Sequence, residues 1–215
     1  MIAKQLGLNQ FFCPPITHGE EHYGHALLTP WPVEVIKRAR LPSDPKKLSR
    51  EPRVALWARV MIDGRPVNVI TTHLGLGLAE RAEQVRALVG PDWIGGLPED
   101  EPAILCGDFN LPPGNASYRR LIAKLRDVQL VTPGHRTLLT FSSIRPFMRI
   151  DHIFLTPQFA AQAVMVPRTD LTRITSDHLP LLADLQLASE PAEMPTTKPP
   201  GSPRNIQPSP LSATK

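Results

Sequence analysis

Residues 102–114 read "PAILCGDFNLPPG". Ala103 to Cys106 is apolar at every position, without alternation, which predicts a short strand buried on both faces. The run ends in Asp108 and Asn110, two residues apart, and Pro112, Pro113 and Gly114 stop it. Asp-x-Asn before Pro is an ordinary turn former, through side-chain bonds to its own backbone. It is also half of an oxygen-ligand set, and the rest of the chain decides between the two.

Upstream, "RVALWARVMIDGRPVNVITTHL" predicts a hairpin. Val54, Leu56, Ala58, Val60 and Ile62 alternate, Asp63-Gly64 supplies the turn, and Val67, Val69 and Thr71 alternate back. Ala55, Trp57 and Met61 make the other face apolar too, so this sheet is also covered on both sides. Leu78, Ala82, Val85 and Val89 then recur at helical spacing until Pro91. A second helix is expected from Ser117 to Leu125, capped by Asn115 or Ser117. "HALLT", "VEVIKRARL", "RIDHIFL", "AVMVP" and "LPLLADLQL" read as further strands, and "DPKKLSREP" as a charged loop. The opening "MIAKQLGLN" resembles the last turns of an amphipathic helix, with Ile2, Ala3 and Leu6 on one face and Gly7 as its stop.

The chain has 215 residues, 41% of them hydrophobic, enough for one well-buried core. We expect a single domain over residues 1–188. The remainder, "SEPAEMPTTKPPGSPRNIQPSPLSATK", is rich in Pro, Ser and Thr and is expected to be a disordered tail without catalytic residues. Two cysteines exclude a disulfide framework. No apolar run reaches the roughly 18 residues of a membrane helix, and no signal peptide is legible at the start. These features predict a cytoplasmic monomer. A net charge of +4 and a pI near 9.3 are compatible with a phosphate-bearing substrate.

Ionisable residues fall repeatedly at strand ends. His73 follows "VNVITT", Asp151 and His152 lie in "RIDHIF", and Asp177 and His178 precede "LPLLADLQL". Each alone has a plain structural reading. Asp151 is the exception, because a carboxylate in an apolar strand needs a cation, an imidazole or a metal beside it. Together they form a set of carboxylates, one amide and two imidazoles without cysteine. Such hard donors suit Mg²⁺, or Mn²⁺, better than zinc. A divalent cation beside imidazoles is the chemistry of phosphoester hydrolysis. "HGEEH" at His18 to His22 matches H-x-x-E-H, but it lies in loop-like sequence with no helix to align its histidines. Ser176 near His178 lacks the G-x-S-x-G of a serine hydrolase.

The series "THLGL", "GDFN", "RIDHIF" and "SDHLPL", in this order and spacing, resembles the endonuclease/exonuclease/phosphatase superfamily. That superfamily includes pancreatic-type DNases, abasic-site endonucleases, inositol-phosphate phosphatases and bacterial sphingomyelinases. "YGHALLTPWPV" resembles its G-x-A-[IL]-L-S-x-x-P segment, with Thr29 in the Ser place. The resemblance covers about Ile2 to Leu187. It implies a four-layer α/β sandwich, two mixed sheets flanked by helices. It also implies that His178 is a general base oriented by Asp151. Asp108 would position water or hold metal, Asn110 would hold a phosphoryl oxygen, and Asp177 would be a metal-side ligand. His73 would contact the phosphate and assist the leaving group, and His152 would be non-catalytic.

The implied function is Mg-dependent hydrolysis of a phosphodiester or phosphomonoester. The substrate would be nucleic acid, a phospholipid head group or a small phosphoester. Lys37, Arg38, Arg40, Lys46, Lys47, Arg50 and Arg53 are candidate phosphate contacts. One departure stands out. The family's strand ending in Gln-Glu, whose Glu is a principal metal ligand, has no counterpart here, so the domain is expected to be N-terminally incomplete. A non-catalytic phosphate-binding remnant of the same fold is the alternative.

Overall fold

A computed structural model describes residues 2–18, 21–43 and 51–188. The tail and most of the charged loop lie outside these residues. In chain order, α1 (Ile2–Leu6) leads into an antiparallel ribbon of β1 (Asn9–His18) and β2 (Glu21–Thr29). Next come β3 (Val33–Arg40), β4 (Val54–Ile62), β5 (Arg65–His73), α2 (Leu78–Leu88) and β6 (Ala103–Asp108). Then follow α3 (Ala116–Ile122), β7 (Arg126–Asp127), α4 (Val128–Val131) and β8 (Asp151–Leu155). A second ribbon, β9 (Phe159–Met165) with β10 (Leu182–Leu187), is interrupted by α5 (Asp170–Thr175).

Six strands form one mixed sheet in the order β3-β4-β5-β6-β8-β7. The expected hairpin is present: Ile62 pairs with Arg65, and Asp63 and Gly64 both take positive φ, as a tight turn of this twist demands. β5 and β6 run parallel, so the chain must cross over between them, and α2 makes that crossing. Asn115 caps α3 by accepting the N–H of Ser117 at 2.8 Å.

Strand periodicity divides the sheet's side chains between two layers. Ala55, Ile70, Leu105 and Phe154 pack against Val85 and Leu88 of α2 and Tyr118 and Leu121 of α3. On the opposite face, Val67 and Leu155 meet Phe159, Ala161 and Val164 of the β9–β10 ribbon. The β1–β2 ribbon covers the same face further along, where Cys13 packs with Val54 and Leu56. The molecule is thus an α/β sandwich. Among the described residues, its second β layer consists of two separate two-stranded ribbons, not one mixed sheet.

Other departures have local causes. β1 was not legible because Pro14 and Pro15 read as loop; the register shifts between Cys13 and Ile16, and an irregular edge is where proline is tolerated. In α1, Ala3 is buried but Ile2 and Leu6 are exposed, and Gly7 ends the helix with φ 66. The His18–His22 segment pairs as strand, Thr17 with His22 and His18 with Glu21, so it is not a helical zinc motif. In α2 the buried face is Glu80, Arg81, Gln84, Val85 and Leu88, while Leu78 is exposed. Among the described residues no helix is long and apolar enough to cross a membrane.

Candidate active site

Register builds the site. His73 at the end of β5 pairs with Asp108 at the end of β6, which pairs with Asp151 at the start of β8. Three neighbouring strands therefore each place a candidate site residue at one level. By alternation all three side chains project to the face that carries the two ribbons. Gly107 lets the strands come this close: its φ is 139, and a Cβ there would stand 1.9 Å from the Thr72 carbonyl oxygen. Gly107→Ala is expected to break the β5–β6 pairing under His73 and Asp108, at a cost above about 2 kcal/mol. Chemical denaturation checks this, and an unchanged midpoint would refute it.

Asp108 performs two tasks. Its Oδ1 accepts the Asn110 N–H at 2.8 Å, closing the turn its sequence suggested. Its Oδ2 faces the imidazoles, 3.2 Å from His73 Nε2 and 3.8 Å from His178 Nε2. Asn110 sits at φ 48, a left-handed conformation that Asn tolerates better than most residues. That twist sends its side-chain Nδ2 to the Leu74 carbonyl at 2.9 Å and within 3.2 Å of His73 Nε2.

His178 is fixed from both sides. Its Nδ1 lies 2.8 Å from Asp151 Oδ2, and a carboxylate can only accept, so Nδ1 carries the hydrogen. Nε2 is thereby left facing Asp108. The ring rests against Phe141, centroids 5.0 Å apart. Ser143 N–H to the Asp177 carbonyl (2.8 Å) and Leu179 N–H to the Thr140 carbonyl (2.7 Å) tie this stretch to residues 140–143. Burial opposes the charged form of His178, but the Asp151 hydrogen bond and the surrounding carboxylates outweigh it and raise its pKa. His73 moves the other way, lowered by burial and by Arg53. Asp108 is raised, chiefly by burial, with Asp151 adding to the rise.

Asp108, Asp151 and His178 bring their ligand atoms within 4.8 Å of one another, all half-buried. Two hard carboxylates converging there, one held protonated more readily than usual by burial and by its neighbour, are what a divalent cation relieves. The residues present therefore fit such an ion. Asp177 is exposed and lies outside this group; it reaches His178 only as a nearby charge. A cleft of about 310 Å³ opens beside the site, lined by Cys106, Asp108, Asp151, Ile153, Leu179 and Leu181 among others. Burial pushes the Cys106 thiol up to about 11, which disfavours its reactive thiolate form.

Several residues that shape the site were not singled out in the sequence. Gln84 and Arg81, on the buried face of α2, hold the chain after His73: Gln84 accepts the Gly75 N–H at 2.8 Å, and Arg81 donates to the Leu76 carbonyl at 2.7 Å. His25 and Glu51 line a second cavity with Arg53 and His73. Of the candidate phosphate contacts, Arg53 is buried beside His73, whereas Lys37 donates to the Asp92 carbonyl and lies over Trp93. Lys46, Lys47 and Arg50 lie outside the described residues. His152 is buried, its Nε2 2.8 Å from the Leu111 carbonyl and its Nδ1 3.3 Å from Asp127. These bonds brace the strands beneath Asp108 and Asp151. A pairing of Asp127 with Arg149, which no local pattern signals, completes that brace.

The model of the Endonuclease/Exonuclease/phosphatase family matches residues 3–178, and the chain belongs to this family. The relatives include Escherichia coli (strain K12) protein YbhP, whose function is uncharacterized, 31% identical over 172 residues. The match covers 78% of this chain and 64% of that relative, so the chain spans less than two thirds of the relative's length. The fold is similar to that of mannosyl-6-phosphatase Bt3783 of Bacteroides thetaiotaomicron, with TM-score 0.68 and 21% identity over 84% of this chain and 78% of that one. It is also similar to D. rerio TDP2 complexed with single-strand DNA product, with TM-score 0.62 and 23% identity over 85% and 78%. The human Nocturnin catalytic domain with bound sulfate gives TM-score 0.63 and 19% identity over 87% and 74%.

Proposed function

We propose that this chain is the catalytic part of a divalent-metal-dependent hydrolase of phosphate esters, with Mg²⁺ as the ion and Mn²⁺ as a substitute. The observation that carries the reading is the His178–Asp151 pair, held at 2.8 Å, with Nε2 turned toward Asp108. With Nδ1 donating to Asp151, the Nε2 lone pair takes a proton from the attacking water. Asp151 stabilises the imidazolium that results.

Asp108 orients that water and, with Asp151 beside it, would hold the ion, while Asp177 would add a more distant negative charge. The bound ion would neutralise charge on the phosphoryl oxygens. Asn110 Nδ2 has one hydrogen committed to Leu74 and the other free for a phosphoryl oxygen once His73 donates to Asp108. His73 stands on the far side of Asp108 from Asp151, where it contacts the phosphate and serves the departing oxygen. The family membership supports hydrolysis over a non-catalytic phosphate-binding remnant, as does the juxtaposition of His73, Asp108, Asn110, Asp151 and His178. The fold is shared with a phosphatase and with a protein captured with single-strand DNA product, so both ester classes are candidate substrates.

Hydrolysis of bis-p-nitrophenyl phosphate by the full chain is expected to stop in EDTA and to return with Mg²⁺ or Mn²⁺. Turnover that survives chelation sinks the metal-dependent reading. The same assay on a chain extended at its N-terminus tests whether further residues contribute to the site.

A further inference from the structure

Ten of the described large apolar side chains are more than half exposed, among them Leu130 (55%) of α4 and Met165 (54%) of β9. Eight of the described ones are at least 60% exposed, and two of these, Ile2 and Leu6, belong to α1. The other six are Leu76 (69%), Leu78 (67%), Ile144 (60%), Phe147 (63%), Leu171 (66%) and Ile174 (81%). All six sit on the segments that carry or support the site residues. Leu76 and Leu78 follow His73, Ile144 and Phe147 precede Asp151, and Leu171 and Ile174 precede His178.

The two segments nearest His178 are joined. Ser143 Oγ donates to the Arg173 carbonyl at 3.2 Å, and Arg168 donates to the Ile144 carbonyl at 2.7 Å. Leu171 and Ile174 are one helical turn apart and share a face. The Phe147 ring meets Phe141, which meets His178, at centroid distances of 5.4 and 5.0 Å. The rim is therefore continuous with the candidate general base. Arg145, Arg168 and Arg173 lie on the same segments, against Asp170 and Asp177.

We propose that this rim docks on the surface of an anionic phospholipid bilayer and that the site takes its phosphoester from a lipid head group. The proposal rests on the phosphoesterase reading above and narrows its substrate. Aliphatic side chains that project into water gain by entering the boundary between head groups and acyl chains, and arginines beside them pair with lipid phosphates. A nucleic acid rewards aromatic platforms and cations; five of these six side chains are aliphatic. Docking through the rim would place His178 at the level of the head-group phosphates.

The test is sedimentation of the full chain with vesicles in EDTA, so that binding is read without turnover. Vesicles of phosphatidylcholine with phosphatidylglycerol are expected to carry the protein down, and added salt to weaken the binding. The variant Leu171→Ser/Ile174→Ser is expected to partition about tenfold less or lower, while hydrolysing bis-p-nitrophenyl phosphate as the parent does. No sedimentation of the parent overturns the proposal, as does undiminished sedimentation of the variant. Binding to a DNA duplex that is lost in the same variant, with no vesicle binding by the parent, assigns the rim to nucleic acid and also overturns it. Vesicle binding without hydrolysis of any soluble ester leaves the docking surface standing and removes the phosphoesterase reading beneath it.

Discussion

Replacing His178 with alanine is expected to lower phosphodiester turnover by about 10³-fold, the size of a lost general base. The fold should barely notice, because the ring is partly exposed and its main partners are Asp151 and the face of Phe141. Asp151→Asn is the informative companion. An amide at 2.8 Å from Nδ1 can donate instead of accepting, which favours the tautomer with its hydrogen on Nε2, where the lone pair is needed. Loss in both variants, with unfolding midpoints near the parent's, supports a base held in one tautomer by its carboxylate. If His178→Ala retains activity within a few-fold of the parent, the mechanism is wrong.

The second large effect lies below the site. Arg149 is 4% exposed and Asp127 2%. Arg149 Nη1 lies 3.0 Å from both Asp127 oxygens, and Nη2 donates to the Tyr118 hydroxyl at 3.0 Å. Tyr118 itself donates to Asp127 at 2.8 Å. Burial alone would raise the Asp127 pKa, but the bonds from His152, Arg149 and Tyr118 reverse it, and the carboxyl is held below its usual range. Arg149→Met leaves that carboxylate buried beside an apolar chain and is expected to cost about 3–5 kcal/mol. Urea unfolding measures it. The double change Arg149→Met/Asp127→Leu should recover much of the loss, since no unpaired charge remains. A loss below about 1 kcal/mol for the single variant would falsify the view that this pair braces the sheet.

Much of this architecture was legible because the strands obey a period of two and end in unusual residues. "PAILCGD" became β6, and the Asp63-Gly64 turn fixed the hairpin that feeds it. His73, Asp108 and Asp151 were readable as strand-end residues, but only the register brings them to one level. Asp108 shows why a choice between turn and site was too narrow, since one oxygen closes the turn and the other faces the imidazoles. What stayed illegible depends on contacts distant in sequence. The helical spacing that began at Leu78 gave no sign that Glu80, Arg81 and Gln84 are buried while Leu78 is exposed. Pro14-Pro15 hid a strand, and Asp177, expected from the resemblance as a metal-side ligand, stands outside the cluster of Asp108, Asp151 and His178. The division of the second layer into two ribbons cannot be inferred from the periodicity of either.

On the proposed reading of the site, the alignment of β5, β6 and β8 also governs when activity can appear. Residues 73, 108, 151 and 178 meet only after long stretches of chain have closed into loops, and each closure costs entropy before any contact rewards it. Helices and the local β4–β5 hairpin form without such closures. The parallel β5–β6 pairing and the β6–β8 pairing do not, and non-local pairings of this kind are the slow events in folding. A partly folded chain can therefore own most of its secondary structure and none of its chemistry. Because β6 alternates sides with each residue, a slip by a single position would also carry Asp108 to the helix side of the sheet. In refolding, recovery of turnover should be the last signal to return, well behind the recovery of helical content.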